Sequence, residues 1–272
     1  MKVKFLGTAA AAGWPALFCE CDACKRAQEL GGKNIRTRTS CLIDDIYMID
    51  FPPDTYMHRL VYNVDLSKLK YVIVTHSHAD HFYAYDFEMR LEGFAYIRDD
   101  SPLNLYGNEG VKELFDYALG HLDMEGVVEY NLVEAFNTFK TGDAIVTPLP
   151  ADHSKGEDCF IYVIQIGDST LLYGHDSGYF PEESWERLMQ YKFDGVILDC
   201  TFGNEDMRSG HMGLPANIDV KNRLLEGNAA GADTKFIITH FSHNIKLMHH
   251  EIEKLAKAHG FITAYDGFEI EL

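Results

Sequence analysis

The sequence predicts an α+β chain in which two sheets pack together and helices cover them from outside. Three observations lead there. Short apolar runs of strand length punctuate the 272 residues, segments of helical period lie between them, and no repeat, low-complexity tract or Pro/Ser-rich linker divides the chain. The chain therefore reads as one domain over 1–272. Periodicity alone leaves a doubly wound sheet open as the alternative.

The strand readings come first. Val3–Leu6, Cys41–Ile43, Tyr47–Ile49 and Tyr71–Val74 are short apolar runs. Leu103–Tyr106, Val127–Tyr130, Ala144–Thr147, Phe160–Ile166 and Thr170–Tyr173 continue the series, followed by Val196–Leu198, Phe236–Ile238 and Phe268–Glu271. Helical spacing of apolar residues marks about Asp22–Leu30, Val111–Leu119, Pro181–Gln190, Pro215–Glu226 and Ile245–Ala258.

Composition narrows the function classes. Hydrophobic residues make up 46% and charged residues 24%, ordinary for a soluble domain. No stretch approaches the roughly 18–20 apolar residues of a membrane span. Met1–Gly7 reads as a first strand rather than a signal peptide, so the expected compartment is the cytoplasm, with no membrane partner. The net charge of −18 repels polyanions, which argues against a nucleic-acid partner. Of the six cysteines, Cys19, Cys21 and Cys24 cluster while Cys41, Cys159 and Cys200 stand singly in apolar runs. In a reducing compartment a tight cluster more often binds metal than forms disulfides.

The densest chemistry follows Tyr71–Val74. Thr75-His76-Ser77-His78-Ala79-Asp80-His81 places three histidines and an aspartate within six residues at a strand end. Imidazole and carboxylate donors suit zinc, manganese or iron. On extended backbone alternate residues point the same way, so His76 and His78 can grip one ion and Asp80 and His81 a second.

This segment resembles the His-x-His-x-Asp-His motif of the metallo-β-lactamase superfamily. The resemblance implies an αββα sandwich with two divalent ions, zinc or manganese, where strand ends meet. It implies three later ligands: His153 for the first ion, Asp176 as the bridging carboxylate, and His240 for the second. His175 is a rival for Asp176, but a bridge needs an acid. One departure is Phe82-Tyr83-Ala84-Tyr85, where relatives often have Gly-Leu, so a different pocket wall is expected.

Cys19-Glu20-Cys21-Asp22-Ala23-Cys24 offers three thiolates, one short of a closed zinc site. His243, three residues after His240, is the candidate fourth ligand of one structural zinc. This pairing resembles the branch that contains the phosphoribosyl cyclic phosphate phosphodiesterase of the carbon–phosphorus lyase pathway. That branch carries a Cys-x-Cys-x-x-Cys insertion, here at about 13–35. Gly7-Thr8…Gly13-Trp14-Pro15 is similar to its opening, and a pyrroloquinoline quinone biosynthesis relative shares much of the pattern.

Arg36 and Arg38, in Asn34–Ser40, are candidates to bind phosphate oxygens; a basic turn paired with surface carboxylates is the equal alternative. Gly210-His211-Met212-Gly213 sits where the phosphodiesterase branch brings a non-ligand histidine to the leaving group, and Asp199-Cys200-Thr201 would support that loop.

The expected activity is hydrolysis of a small phosphodiester, linear or cyclic, by a metal-bound hydroxide, with Asp80 at the metals and His211 as general acid. A lactone, thioester or β-lactam hydrolase could use the same metals without needing His211 or the arginines. A tRNA-processing nuclease would want a basic surface, and a flavodiiron oxidoreductase normally has Glu in the place of His78. A mononuclear iron oxygenase and a non-catalytic protein of the pyrroloquinoline quinone pathway stay open, as does a homodimer.

Overall fold

The computed structural model describes residues 1–98 and 101–272. Alternation along single strands shows how the layers stack. In β10 (Ser169–Gly174) Leu171 and Tyr173 face one way and Leu172 the other, and all three are fully buried. A strand buried on both faces needs a packed layer on each side. Leu171 and Tyr173 meet Phe5, Ile43, Ile49 and Ile73 of the opposite sheet, whereas Leu172 packs with Trp185, Leu188, Val220 and Ile252 of the covering helices.

The first sheet has the order β14-β1-β2-β3-β4-β5-β6. Its strands are β1 (Lys2–Gly7), β2 (Ser40–Ile43), β3 (Tyr47–Ile49), β4 (Tyr71–Ile73), β5 (Leu103–Gly107), β6 (Val128–Leu132) and β14 (Glu269–Glu271). The second runs β13-β12-β11-β10-β9-β8-β7. It contains β7 (Phe139–Thr141), β8 (Ala144–Pro150), β9 (Phe160–Ile166), β11 (Gly195–Asp199), β12 (Lys235–Thr239) and β13 (Ile262–Thr263) beside β10. Each sheet is antiparallel in one half and parallel in the other. The architecture is therefore the αββα sandwich, and the doubly wound alternative falls away.

Helices α1 (Asp22–Leu30), α4 (Glu182–Leu188), α5 (Leu214–Glu226) and α6 (His249–Lys257) cover the second sheet. Helix α3 (Glu109–Leu119) and a 3-10 segment at Ala84–Arg90 cover the first through Val111, Phe115 and Phe87. Asn108 starts α3 by accepting from the amide of Val111, at 2.8 Å.

Four elements differ from the sequence reading. Helix α2 (Thr55–Tyr62) was not expected; it buries only Thr55 and His58 and leaves Tyr56, Met57, Leu60 and Val61 exposed, so its pattern has no polar outer face to read. The last helix begins at His249 rather than Ile245, because Lys246 is left-handed (φ 60°) and separates it from a 3-10 turn at His243–Ile245. Strands β7 and β13 are too short to register as periodicity and exist through pairing with β8 and β12.

Candidate metal centre

The reactive side chains gather at one edge because strands of common direction end together. Strands β3 and β4 run parallel, as do β10, β11 and β12, and β8 shares the direction of β10 because both are antiparallel to β9. Asp50 follows β3, His76 lies just beyond β4, His153 beyond β8, Asp176 beyond β10, and His240 follows β12. Asp50, Asp176 and His240 each take a left-handed backbone, with φ of 62°, 53° and 61°. Asp and His tolerate that region better than bulkier residues, yet it still costs on the order of 1–3 kcal/mol, a strain that clusters at functional sites.

The seven expected ligands come together in two groups that share Asp176: His76, His78, His153 and Asp176, then Asp80, His81, Asp176 and His240. Within each group the ligand atoms lie within 4.8 Å of one another. In the first, His78 Nδ1 is 2.8 Å from His76 Nε2 and 3.1 Å from His153 Nε2. In the second, His81 Nε2 is 3.2 Å from Asp80 Oδ2 and 2.9 Å from Asp176 Oδ2. The same Asp176 oxygen is 3.3 Å from His76 Nε2, which makes it the bridge between the groups.

The orientation of the rings tests whether metals fit. His81 Nδ1 donates to Asp50 Oδ2 at 2.8 Å, and His153 Nδ1 to the Gly210 carbonyl at 2.9 Å. His240 Nδ1 meets Thr201 Oγ1 at 2.8 Å and His76 Nδ1 meets Thr75 Oγ1 at 3.0 Å. The outer nitrogen of each of these rings is thus held by the protein, the arrangement that presents the inner nitrogen to a metal. Inside, His240 Nε2 is buried with no hydrogen-bond partner among the described residues, and His81 Nε2 meets only the carboxylates of Asp80 and Asp176. An orphaned buried nitrogen costs about 1–3 kcal/mol, and a cation beside it removes that cost. The donor set fits two divalent ions.

Electrostatics point the same way. Burial alone would push the Asp50 and Asp176 carboxyls up. His81 beside Asp50, and His240 with His211 and His81 around Asp176, outweigh it and hold both carboxyls below the usual range. Sequence reasoning missed Asp50. It also accepts from the amide of Thr75 at 2.8 Å and is fully buried, and its only signal was an acid closing the apolar run before Phe51-Pro52-Pro53. His175 faces Asp50 at 3.5 Å, behind the cluster.

His211 stands at the mouth, its side chain 27% exposed. Its Nδ1 is 3.0 Å from Asp199 Oδ2 and 3.0 Å from Asp176 Oδ1. Burial lowers its pKa, but these two carboxylates prevail and raise it to about 10. Asp199 Oδ1 accepts from the Met212 amide at 2.9 Å, and Asp152 Oδ2 from the Gly210 amide at 3.2 Å, so the loop is anchored on both sides of His211.

The cysteine segment folds against the turn that follows His240. Cys19 and Cys21 Sγ lie 3.7 and 3.6 Å from His243 Nδ1, and the four ligand atoms, with Cys24, are within 4.8 Å of one another. Ligands at about 2.0–2.3 Å in a tetrahedron are roughly 3.5–3.8 Å apart, so the spacing suits zinc. The Cys24 amide and His243 draw the Cys21 thiol down to about 6, while burial lifts Cys24 to about 12.

The two arginines are engaged elsewhere. Arg36 is 2% exposed and donates to Thr8, the Ala264 carbonyl and His249. Arg38 Nη1 donates to both carboxylate oxygens of Asp54, at 3.1 Å each, and Nε donates to the Ala11 carbonyl. Neither guanidinium hydrogen-bonds to the histidine–aspartate cluster among the described residues; the burial of Arg36 corrects the expectation that it reaches substrate, whereas Arg38 is partly exposed and paired with Asp54.

A sandwich of two mixed sheets with a histidine–aspartate cluster at its strand ends defines a protein of the metallo-β-lactamase fold. Residues 48–241 match the beta-lactamase superfamily domain, and the chain belongs to that superfamily. The matched span holds the seven expected catalytic ligands and excludes the cysteine segment and His243. Among solved structures, a diphosphatase from the PhnP family is similar at 24% identity and TM-score 0.77, covering 100% of this chain and 97% of that one. Zinc-bound PqqB from Methylobacterium extorquens follows at 19% and 0.72, covering 100% of both chains. The short form of human tRNase Z is similar at 15% and 0.68, covering 100% and 99%. At these identities the likeness concerns the fold. Comparison with curated proteins gave no match. No helix among the described residues is long and apolar enough to cross a membrane.

Proposed function

We propose that the protein is a metal-dependent phosphodiesterase acting on a small phosphodiester, linear or cyclic. The observation that carries the reading is His211: an imidazole at the mouth of the histidine–aspartate cluster, outside the seven expected ligands, its Nδ1 turned to Asp199 and Asp176. That leaves Nε2 as the atom that gives a proton to a departing oxygen, which an alkoxide leaving group requires and a thiolate does not. His76, His78 and His153 would hold one ion, Asp80, His81 and His240 the other, with Asp176 between them. When bound, such ions, zinc or manganese, supply Lewis acidity to phosphoryl oxygens and make water nucleophilic at neutral pH. Asp50, Thr75, Thr201 and the Gly210 carbonyl hold the imidazoles in line. A net charge of −18 favours a small substrate over a nucleic acid.

A diphosphate substrate is the second reading, favoured by the likeness to the PhnP-family diphosphatase. The test is kcat/KM over cyclic ribose phosphates, alkyl and nitrophenyl phosphodiesters, dinucleoside diphosphates, lactones and thioesters, with metal-replete and chelator-treated protein. Fastest turnover of a phosphodiester, abolished by chelator, is expected. Fastest turnover of a lactone or thioester would overturn the reading, and fastest turnover of a diphosphate would replace it with the second.

A further inference from the structure

The basic segment around Arg36 contains a buried charge that hydrolysis does not use. Arg36 is 2% exposed and forms no direct ion pair among the described residues; the buried carboxyl of Asp266 acts on it from further off, through the shared Thr8 hydroxyl. Removing a cation from water costs several kcal/mol, and burial pulls this guanidinium down to about 10, only partly offset by Asp266. Its surroundings offset the cost. Nη1 donates to Thr8 Oγ1 at 2.6 Å and to the Ala264 carbonyl at 2.8 Å, and Nη2 donates to His249 Nδ1 at 2.9 Å. The guanidinium carbon lies 4.4 Å from the centre of the Phe241 ring, a cation–π contact.

Phe241 connects this network to the metal cluster, because it directly follows His240. Its amide donates to the Thr8 carbonyl at 2.9 Å, and its own carbonyl accepts from Ala10 at 3.0 Å. Thr8 thus joins the two: its hydroxyl accepts from Arg36 and donates to Asp266, and its carbonyl accepts from the Phe241 amide. The backbone of Arg36 pairs with Trp14 in both directions, at 2.7 and 2.8 Å, closing the base of the cysteine segment. We infer that Arg36 is a positioning residue for His240: stacked against Phe241 and tied to Thr8, it fixes the left-handed turn that aims His240 Nε2 at Asp176. Lysine cannot substitute, since it lacks both the planar face and the fork. The inference rests on the reading that Asp80, His81, Asp176 and His240 hold an ion.

The test uses metal-replete full-length protein, comparing wild type with Arg36→Lys, Phe241→Leu and the double variant. Ions retained per chain are measured against rising chelator, with occupancy at each site read by anomalous diffraction. Arg36→Lys should release the ion at His240 at about 10- to 100-fold lower chelator, the range for losing a ligand's support. The zinc at the cysteines and the ion at His76, His78 and His153 should hold as in wild type. Phe241→Leu should shift release in the same direction, and the double variant should be no worse than Arg36→Lys. Variants that lose thermal stability yet keep wild-type retention at His240 would overturn the inference. If Arg36→Lys does not fold, Phe241→Leu decides by the same criterion. Wild type that never holds an ion at His240 would overturn the site reading, and the inference with it.

Discussion

Oδ2 of Asp199 lies 3.0 Å from Nδ1 of His211, and the same oxygen lies 3.2 Å from Nδ1 of His240. One carboxylate thus orients both His211 at the mouth and His240 within the histidine–aspartate cluster. Burial would raise the Asp199 pKa, but these two imidazoles overcome it and keep the group ionised.

If His211 protonates the departing oxygen, its worth depends on how basic that oxygen is. His211→Ala should slow alkyl and cyclic ribose phosphodiesters by about 10²–10⁴. Nitrophenyl phosphodiesters, whose leaving group is a stable anion, should be much less affected, and metal content should not change. Equal losses on both substrate types would reduce His211 to a binding residue.

Asp50 supports His81 from outside the cluster and also accepts from the Thr75 amide and hydroxyl. Asp50→Ala orphans these buried donors, at about 1–3 kcal/mol each. It should lower the unfolding midpoint in urea and weaken retention of the ion at His81 by about 10- to 100-fold. Normal retention with lowered stability would make Asp50 purely architectural.

The cysteine site should contribute folding stability rather than chemistry. Cys21→Ser is expected to remove one zinc per chain and lower Tm, leaving the ions at the histidine–aspartate cluster in place. Elemental analysis that finds the wild-type zinc count in this variant would count decisively against a zinc there.

A pH effect is expected at Asp266, which accepts from the Thr37 amide and from the Thr8 and Thr37 hydroxyls. Burial raises its pKa from 3.8 to about 6, despite those donors and the facing Arg36. The folded state therefore binds more protons than the unfolded state between these values. This group's contribution is greatest below pH ~4, falls as pH rises to ~6, and is flat above. Urea unfolding from pH 4 to 8 should show the stability of Asp266→Asn relative to wild type rising across that window and then levelling. A difference independent of pH would contradict the raised value.

Much of the site was legible because it is written in contiguous residues. The spacing of His76, His78, Asp80 and His81 at a strand end needs no tertiary knowledge, and His153, Asp176 and His240 each stand just past an apolar run. Sequence by itself thus determined the superfamily, the ligand candidates and the layered architecture. What it could not determine depends on residues far apart in the chain. Helix α2 has exposed apolar residues that blur its period. Asp50 looked like any acid after a strand until β3 and β4 paired in parallel and set it beside His81. Arg36 read as a phosphate contact, because a guanidinium in an acidic chain is expected at the surface. Only the packing of Thr8, Phe241, His249 and Ala264 around it turned it inward. A local pattern fixes which atoms can bind a metal; whether a charge meets solvent or its own fold is decided by contacts that only the folded chain makes.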